Sequence, residues 1–196
     1  MKLVTWAAPT PNSAVADRIR RTQELVSDMM LPRGSSILDI GGCEFKKFCD
    51  ENGLKYTSLN IATPVQNGTG GYAILKDTVL YDGITLPFKT SFDVVMLNFV
   101  LHHAAEHTIG LLKQVKQIAK RYIIIGEDLS ELNYSASWHK RNYEHQPGGV
   151  YRSNTEWLHL FDFLSLNVET QCIIRRIDDD DATKIYRTVY VINMRP

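Results

Sequence analysis

Short apolar runs that are rich in branched residues alternate with segments of helical periodicity along most of this chain. The runs 36–40, 92–98 and 122–126 are each too short for a buried helix, so they predict buried strands. Residues 108–120 carry apolar side chains at helical spacing and predict a helix between two of those strands. Strands that alternate with helices predict an α/β fold, with a mainly parallel sheet covered by helices on both faces.

The last third of the chain departs from this alternation. Further helices are predicted at 15–29, 44–52 and 154–164, and further strands at 56–61, 78–81, 168–177 and 184–194. Ser153 or Asn154 is placed to cap the last helix, with Glu156 in its first turn. Four aspartates at 178–181 join the last two strands, and such a run of like charges predicts a solvated hairpin turn rather than a metal site. We therefore expect a terminal antiparallel hairpin on an otherwise parallel sheet.

The chain length of 196 residues predicts one domain, residues 1–196, with a small appended lid. Residues 129–152 are polar and aromatic without clear periodicity, so we expect this insert to cover an active site. Edge strands at the terminal hairpin could pair with a second copy, but nothing in the sequence indicates a homo-oligomer.

Charge and cysteine content narrow the classes of partner and compartment. Lys plus Arg and Asp plus Glu each number 22, and this balance argues against a nucleic-acid partner, because binding to phosphate backbones favours a basic excess. Cys43, Cys49 and Cys172 have no metal-ligand spacing and are interpreted as reduced thiols, so we expect no metal and a cytoplasmic location. No apolar run approaches the roughly 20 residues of a membrane span, and the first eight residues lack the roughly 7–15-residue apolar core of a signal peptide.

The first chemical motif is the run Leu38-Asp39-Ile40-Gly41-Gly42-Cys43-Glu44-Phe45, in which a strand turns on glycines into a helix. Such a turn directs backbone N–H groups and the positive end of a helix to one spot, which suits a pyrophosphate or an amino-acid carboxylate. About twenty residues further on, a dinucleotide fold places an acid for ribose hydroxyls, and Asn60 stands at that position here.

The second motif is longer and more specific. Asp82-Gly83-Ile84-Thr85-Leu86-Pro87-Phe88 leads into the run Ser91 to His103, Ser-Phe-Asp-Val-Val-Met-Leu-Asn-Phe-Val-Leu-His-His. Over residues 35–127 the chain resembles the class I S-adenosylmethionine-dependent methyltransferases, a Rossmann-like family, and the terminal hairpin is similar to the reversed last strand of that fold. The resemblance implies a three-layer sheet, S-adenosylmethionine as cofactor and methyl transfer to a small-molecule acceptor.

The resemblance also implies site residues. Asp39, Gly41 and Gly42 would form the loop beneath the methionine part of the cofactor, and Asn60 would face the ribose. Asp82 and Gly83 would contact the adenine ring, Asn98 would border the methyl group, and Glu127 and Asp128 would line the acceptor pocket. The family has glycines where Cys43 and Phe45 stand, so we expect these two side chains to restrict the loop. Replacing the ribose-binding acid by Asn60 weakens a charge-assisted bond by roughly 1 kcal/mol.

A hydroxyl acceptor needs a base, and the candidate catalytic residues are His103, His145 and Glu127, with His102, His139 and Asp128 as further possibilities. Three other functions stay open at this point. The altered loop and Asn60 are compatible with a non-catalytic relative that binds a partner or keeps the cofactor structurally. An RNA or protein methyltransferase is disfavoured by the charge balance, and a nicotinamide dehydrogenase by the Leu-Pro-Phe run.

Overall fold

The computed structural model describes residues 1–8, 14–42, 45–61, 77–130, 149–176 and 187–195. The strands are β1 Lys2–Ala8, β2 Ser36–Ile40, β3 Lys55–Ile61, β4 Val79–Tyr81, β5 Phe92–Asn98, β6 Ala119–Asp128, β7 Val168–Arg176 and β8 Arg187–Asn193. The helices are α1 Ala14–Asp28, α2 Lys46–Glu51, α3 Leu101–Ala104, α4 Thr108–Ile118 and α5 Asn154–Phe163, with a short 3-10 helix at Ala105–His107.

The eight strands form a single sheet in the order β1-β7-β8-β6-β5-β2-β3-β4. β2 pairs in parallel with both β3 and β5, and the parallel pairing continues to β4 on one side and β6 on the other. β8 is antiparallel to β6 and β7, so it is the reversed strand that the sequence predicts at the end of the fold. The predicted α/β fold with a mainly parallel sheet is therefore confirmed.

Alternating side chains of the central strands supply two hydrophobic layers. Leu38, Val95 and Ile123 lie in a cluster with apolar residues of α4 and α5. Their neighbours Ile37 and Ile124 lie in a second cluster on the other face, with residues of α1 and α2. Both faces of a parallel sheet are buried, which is why these strands are continuously apolar in sequence.

The outer edge of the sheet differs from the expectation that the terminal hairpin is free. β1 lies parallel to β7, with Lys2 opposite Thr170 and Ala8 opposite Arg176, so both hairpin strands are interior. Residues 2–8 have no strand predicted from their sequence, since seven residues give a weak strand signal. The prediction that a second copy could pair with the hairpin edges is therefore wrong, because β1 already pairs with the outer strand of the hairpin, β7.

Most other predicted bounds hold to within a few residues. β2 and β5 have the predicted limits, whereas β6 extends the predicted 122–126 by three residues at its start and two at its end. Helix α2 is shorter than the predicted 44–52. Ser153 caps α5: its side chain accepts from the Glu156 N–H, and the Glu156 carboxylate accepts from the Ser153 N–H, as a capping box requires.

The longest helix of the described ranges is α1, with 15 residues. No helix in this part of the chain combines the length and the apolar character needed to cross a membrane.

Candidate active site at the carboxyl edge of the sheet

The ends of three neighbouring strands bring the predicted site residues to one level of the sheet. Ile40 of β2 lies opposite Leu59 of β3 and Leu97 of β5. Gly41, Asn60 and Asn98 each follow one residue later, so they form a row across the carboxyl ends of β5, β2 and β3. Because neighbouring strands lie about 4.8 Å apart, this row spans roughly 10 Å. The register therefore confirms that the two sequence motifs meet at one edge.

The turn after β2 has no space for side chains. Gly41 has φ +78°, and a Cβ there would lie 2.4 Å from Val100 Cγ2. A Cβ on Gly42 would lie 2.5 Å from both carboxylate oxygens of Asp39. Only glycine is compatible with such close approach at both positions. The two residues thus place backbone rather than side chains at the carboxyl edge of the sheet.

Polar side chains hold this turn from below. Asp39 is 1% exposed, and its Oδ2 accepts a hydrogen bond of 2.7 Å from the Tyr56 hydroxyl. The Gly42 carbonyl accepts a bond of 2.7 Å from Ser58 Oγ. Asp39 therefore stabilises the loop from the interior, and its burial makes direct ligand contact secondary to that role.

Phe45 does not occupy the cleft. Its backbone has φ −84° and ψ −10°, so no positive φ is required where the family has glycine. The side chain is 2% exposed and packs with Val26, Ile37 and Cys49 in the cluster beneath α1 and α2. The expectation that Phe45 restricts the loop is wrong, because its ring packs in the core beneath α1 and α2. Cys43, the other departure, lies outside the described residues.

Asp82 and Gly83 form a tight turn beyond β4, at the same edge. Asp82 Oδ1 accepts from the N–H groups of Thr85 at 2.7 Å and Ile84 at 2.8 Å, and these bonds lower the pKa of the exposed Asp82 carboxyl. Gly83 has φ +82°, and a Cβ there would lie 3.2 Å from a methyl carbon of Ile61. Hydrogen bonds from the backbone to the Asp82 carboxylate therefore stabilise this turn, and the carboxylate at its start is ionised.

Asn60 and Asn98 differ in their hydrogen bonding. Asn60 Oδ1 accepts from the following N–H of Ile61 at 2.9 Å. Asn98 Oδ1 is buried and accepts no hydrogen bond from any described residue. It lies 3.0 Å from the position of a Cβ on Gly126, the residue paired with Asn98 across the sheet. Asn98 therefore offers a shielded acceptor at the β5 end of the row.

His102 and Glu127 form a buried pair next to this row. Glu127 is 0% exposed and His102 is 3% exposed. Glu127 Oε2 lies 2.8 Å from His102 Nδ1, and Oε1 accepts from the Leu101 N–H at 2.7 Å. The structure thus places Glu127 beneath the site, with both oxygens engaged, rather than on the wall of an acceptor pocket.

His103 is the exposed member of the His-His pair. Its ring centre lies 4.1 Å from that of His102. Partial burial, together with the neighbouring His102, lowers the pKa of His103 to about 4, so its imidazole is neutral at pH 7. His139 and His145 lie outside the described residues.

The last residues before α5 pack against His102. The Tyr151 ring stacks on the His102 ring with centres 4.9 Å apart, and the Val150 N–H donates to the His102 carbonyl at 2.8 Å. The Ser130 N–H donates to the Arg152 carbonyl at 3.1 Å. Both ends of the predicted insert 129–152 are thus joined beside the His102–Glu127 pair, while residues 131–148 lie outside the described ranges.

Asp128 is engaged in a different contact from Glu127. Its Oδ1 lies 2.5 Å from Arg187 Nε, and the Arg187 guanidinium lies over the Phe99 ring, 5.7 Å from its centre. This ion pair joins β6 to β8 at the carboxyl edge, beside the row of site residues.

Several contacts of the site were not found from the sequence. The supports at Tyr56, Ser58 and Val100 depend on strand register, and no local pattern in the sequence signals them. The sequence motif contains both His102 and His103, but only the structure shows that His102 contacts Glu127. The alternation of side chains after β5 could not show which imidazole faces the interior.

The strand order of this sheet and its antiparallel strand β8 together define the fold of the class I S-adenosylmethionine-dependent methyltransferases. Solved structures of that class superpose on this chain. A Methanosarcina mazei S-adenosylmethionine-dependent methyltransferase matches with TM-score 0.59 and 15% identity, over 86% of this chain and 96% of that one. The Burkholderia thailandensis 1,6-didemethyltoxoflavin N1-methyltransferase, with its substrate and S-adenosylhomocysteine bound, matches with TM-score 0.60 and 14% identity, over 96% and 91%.

The mitomycin 7-O-methyltransferase matches with TM-score 0.56 and 18% identity, over 82% of this chain and 49% of its own length. No family model matches the sequence, and no curated protein is similar to it in sequence. At these identities the likeness establishes the fold, and the function is argued from the site.

Proposed function

We propose that this protein is an S-adenosylmethionine-dependent methyltransferase that acts on a small-molecule acceptor. The observation that carries the proposal is the common edge of two glycine turns, at Gly41–Gly42 and at Asp82–Gly83. They lie two strands apart at the carboxyl ends of parallel strands, where open α/β sheets bind their ligands.

The residues of the edge fit this cofactor in polarity. The backbone of Gly41 and Gly42, supported by Asp39, would hold the methionine part, because neither residue carries a side chain of its own. Asn60 would contact the ribose, and Asp82 with Gly83 would contact the adenine. Asn98 Oδ1, a buried acceptor without a partner among the described residues, would border the methyl group.

S-adenosylmethionine supplies an electrophilic methyl group on a sulfonium, so the hard chemistry belongs to the cofactor. The chain must align an acceptor atom and exclude water. We assign alignment to the wall formed by His102 and Tyr151, whose rings stack at the edge beside Asn98.

The His102–Glu127 pair supports this wall. Glu127 Oε1 accepts from the Leu101 N–H, and Oε2 is placed to accept the proton of His102 Nδ1. This tautomer holds the buried His102 imidazole in one orientation within the wall. Glu127 is then a positioning residue that fixes the imidazole, and His103 and His145 remain candidates for contact with the acceptor.

A small acceptor is supported by the balance of 22 basic and 22 acidic residues, which offers no excess charge for a nucleic acid. The two named enzymes with similar folds act on a toxoflavin precursor and on a mitomycin. The alternative of a non-catalytic relative has lost the support of Phe45, which lies in the core.

Calorimetric titration with S-adenosylhomocysteine tests the proposal. We expect saturable binding, weakened about five- to tenfold by Asp82→Asn, which keeps the acceptor for the turn but removes the charge. Asp162→Asn on α5, an exposed carboxylate away from the edge, is the matched control and should bind as the unmodified chain does. Absence of binding at millimolar ligand would refute the cofactor assignment, and tight binding without methylated product in a metabolite extract would favour the non-catalytic relative.

A further inference from the structure

Two hydrogen-bond donors near the start of α5 are buried without an acceptor. Arg152 Nη1 and Trp157 Nε1 are each shielded from solvent and have no hydrogen-bond partner among the described residues. Trp157 is 0% exposed. Folded proteins leave few such groups unsatisfied, because a buried donor without an acceptor is costly. Together they leave two donors to which a ligand would supply the acceptor.

The two donors belong to side chains in direct contact. The guanidinium carbon of Arg152 lies 5.0 Å from the centre of the Trp157 ring, which is the geometry of a cation–π pair. The Phe161 ring also stacks on Trp157, with the two ring centres 5.7 Å apart. The indole is therefore fixed by packing, and the guanidinium has a preferred position over it.

No carboxylate of the described residues pairs with Arg152. The nearest acid in sequence, Glu156, accepts from the Ser153 N–H at 2.6 Å as part of the capping box. The Arg152 residue is half-buried, so part of its side chain is open to the surface although Nη1 is not. The Glu156 carboxylate interacts with Arg152 electrostatically but forms no close ion pair with it in the described part of the chain. A partly desolvated guanidinium of this kind favours an anionic ligand.

The pair lies next to the acceptor side of the proposed active site. The Arg152 carbonyl accepts from Ser130, just beyond β6, and the preceding Tyr151 ring packs on His102. Helix α5 follows a crossover from β6, so its first turn lies at the carboxyl edge of the sheet. An acceptor held between Tyr151 and His102 could therefore extend a charged group towards Arg152.

We propose that Arg152 and Trp157 bind a carboxylate of the methyl acceptor, so that the substrate is a small carboxylic acid. This inference rests on the proposed function. A guanidinium matches a carboxylate with two parallel N–H···O bonds, and the indole N–H adds one further donor. One positive charge neutralises a carboxylate, whereas a phosphate dianion would keep one charge without a partner.

Benzoate, benzamide and phenyl phosphate are suitable calorimetric probes for the full chain, with and without saturating S-adenosylhomocysteine. We expect benzoate to bind at least tenfold more tightly than its neutral isostere benzamide, and more tightly than phenyl phosphate. Arg152→Gln should abolish the preference for benzoate, since a charge-assisted bond is lost. Trp157→Phe keeps the ring but removes the donor, and should weaken benzoate several-fold.

Arg33→Gln is the matched control, because Arg33 lies beside Gly53 at the opposite edge of the sheet. It should leave benzoate binding unchanged. Should Trp157→Phe or Arg152→Gln fail to fold, Arg152→Lys keeps the charge without the planar fork and is expected to bind benzoate with intermediate affinity.

Equal affinity for benzoate and benzamide overturns the inference, as does an unchanged preference in Arg152→Gln or tighter binding of phenyl phosphate. Binding of S-adenosylhomocysteine without any benzoate preference overturns this inference alone. Benzoate binding in a chain that does not bind S-adenosylhomocysteine supports the carboxylate site and overturns the methyltransferase proposal.

Discussion

Gly41→Ala tests the turn on which the proposed cofactor site depends. At φ +78° an alanine is in the left-handed region, which costs about 1–2 kcal/mol for an L-residue. The new Cβ would also lie 2.4 Å from Val100 Cγ2, and such overpacking costs about 1–3 kcal/mol. The two effects together predict a loss of about 2–5 kcal/mol in the free energy of unfolding.

Gly34→Ala separates the two effects. Gly34 has φ +83°, almost the same as Gly41, but a Cβ there meets nothing within 4 Å. This control should lose only the backbone contribution, about 1–2 kcal/mol. The double variant Gly41→Ala/Val100→Ala should regain part of the steric cost relative to the sum of the single changes.

Urea unfolding followed by circular dichroism measures the unmodified chain and four variants, Gly41→Ala, Gly34→Ala, Val100→Ala and the double variant, with the slope checked for two-state behaviour. S-adenosylhomocysteine affinity should fall in Gly41→Ala and not in Gly34→Ala, because only the first residue faces the cleft. The reasoning is refuted if the two glycine variants are equally stable, or if the effects of Gly41→Ala and Val100→Ala are simply additive.

Further predictions follow from the buried and titrating groups. Glu127→Ala leaves two buried donors without an acceptor and should destabilise the chain by at least 2–3 kcal/mol in urea unfolding, as an order of magnitude, with Glu127→Gln less affected because it keeps an acceptor. The pKa of His103 is lowered from 6.5 to about 4, so the unfolded chain binds more protons between these values; stability should fall as pH drops from 6.5 to 4, and His103→Asn should reduce this fall, as pH-dependent urea midpoints will show. Burial raises the pKa of both Cys49 and Cys172 to about 12, so these thiols should resist iodoacetamide at pH 8 in the folded chain and react after unfolding, as mass spectrometry of the labelled peptides will show.

Strand positions were readable from the sequence because burial on both faces leaves a continuous apolar run. Within residues 36–40 and 92–98 the polar side chains are Ser36, Asp39, Asp93 and Asn98, and the other eight positions are apolar. Asp93 accepts from the Ser36 N–H at 2.8 Å and from its hydroxyl at 2.9 Å. β1 was not predicted because its position depends on pairing with β7, 168 residues further along the chain, and a long-range pairing leaves little local signal.

The site was predictable as far as backbone geometry determined it. Gly41 and Gly42 were predicted from the glycine turn that follows a strand, and Asp82 and Gly83 from the resemblance over residues 35–127. The structure gives Gly41 and Gly83 positive φ, which restricts the residue type at both positions. The partners of buried side chains were not visible, because they lie across strands: Glu127 meets His102, which is 25 residues earlier in the chain. Side-chain roles at the site therefore needed the register of β5 and β6.

Phe45 shows why a departure from a family pattern has to be judged by where the side chain goes. A phenyl ring in place of glycine would block a cleft only if the Cα–Cβ bond pointed into it. Here the residue has helical φ and ψ as the N-cap of α2, and the ring packs against Phe48 and the cluster beneath α1. The Phe45 ring therefore adds hydrophobic area to the core beneath α1 and α2. Gly41 and Gly42 remain at the turn where the ligand would approach. Phe45→Gly should accordingly lower stability by about 3–5 kcal/mol in the manner of a large core deletion, while S-adenosylhomocysteine affinity of the folded fraction stays the same.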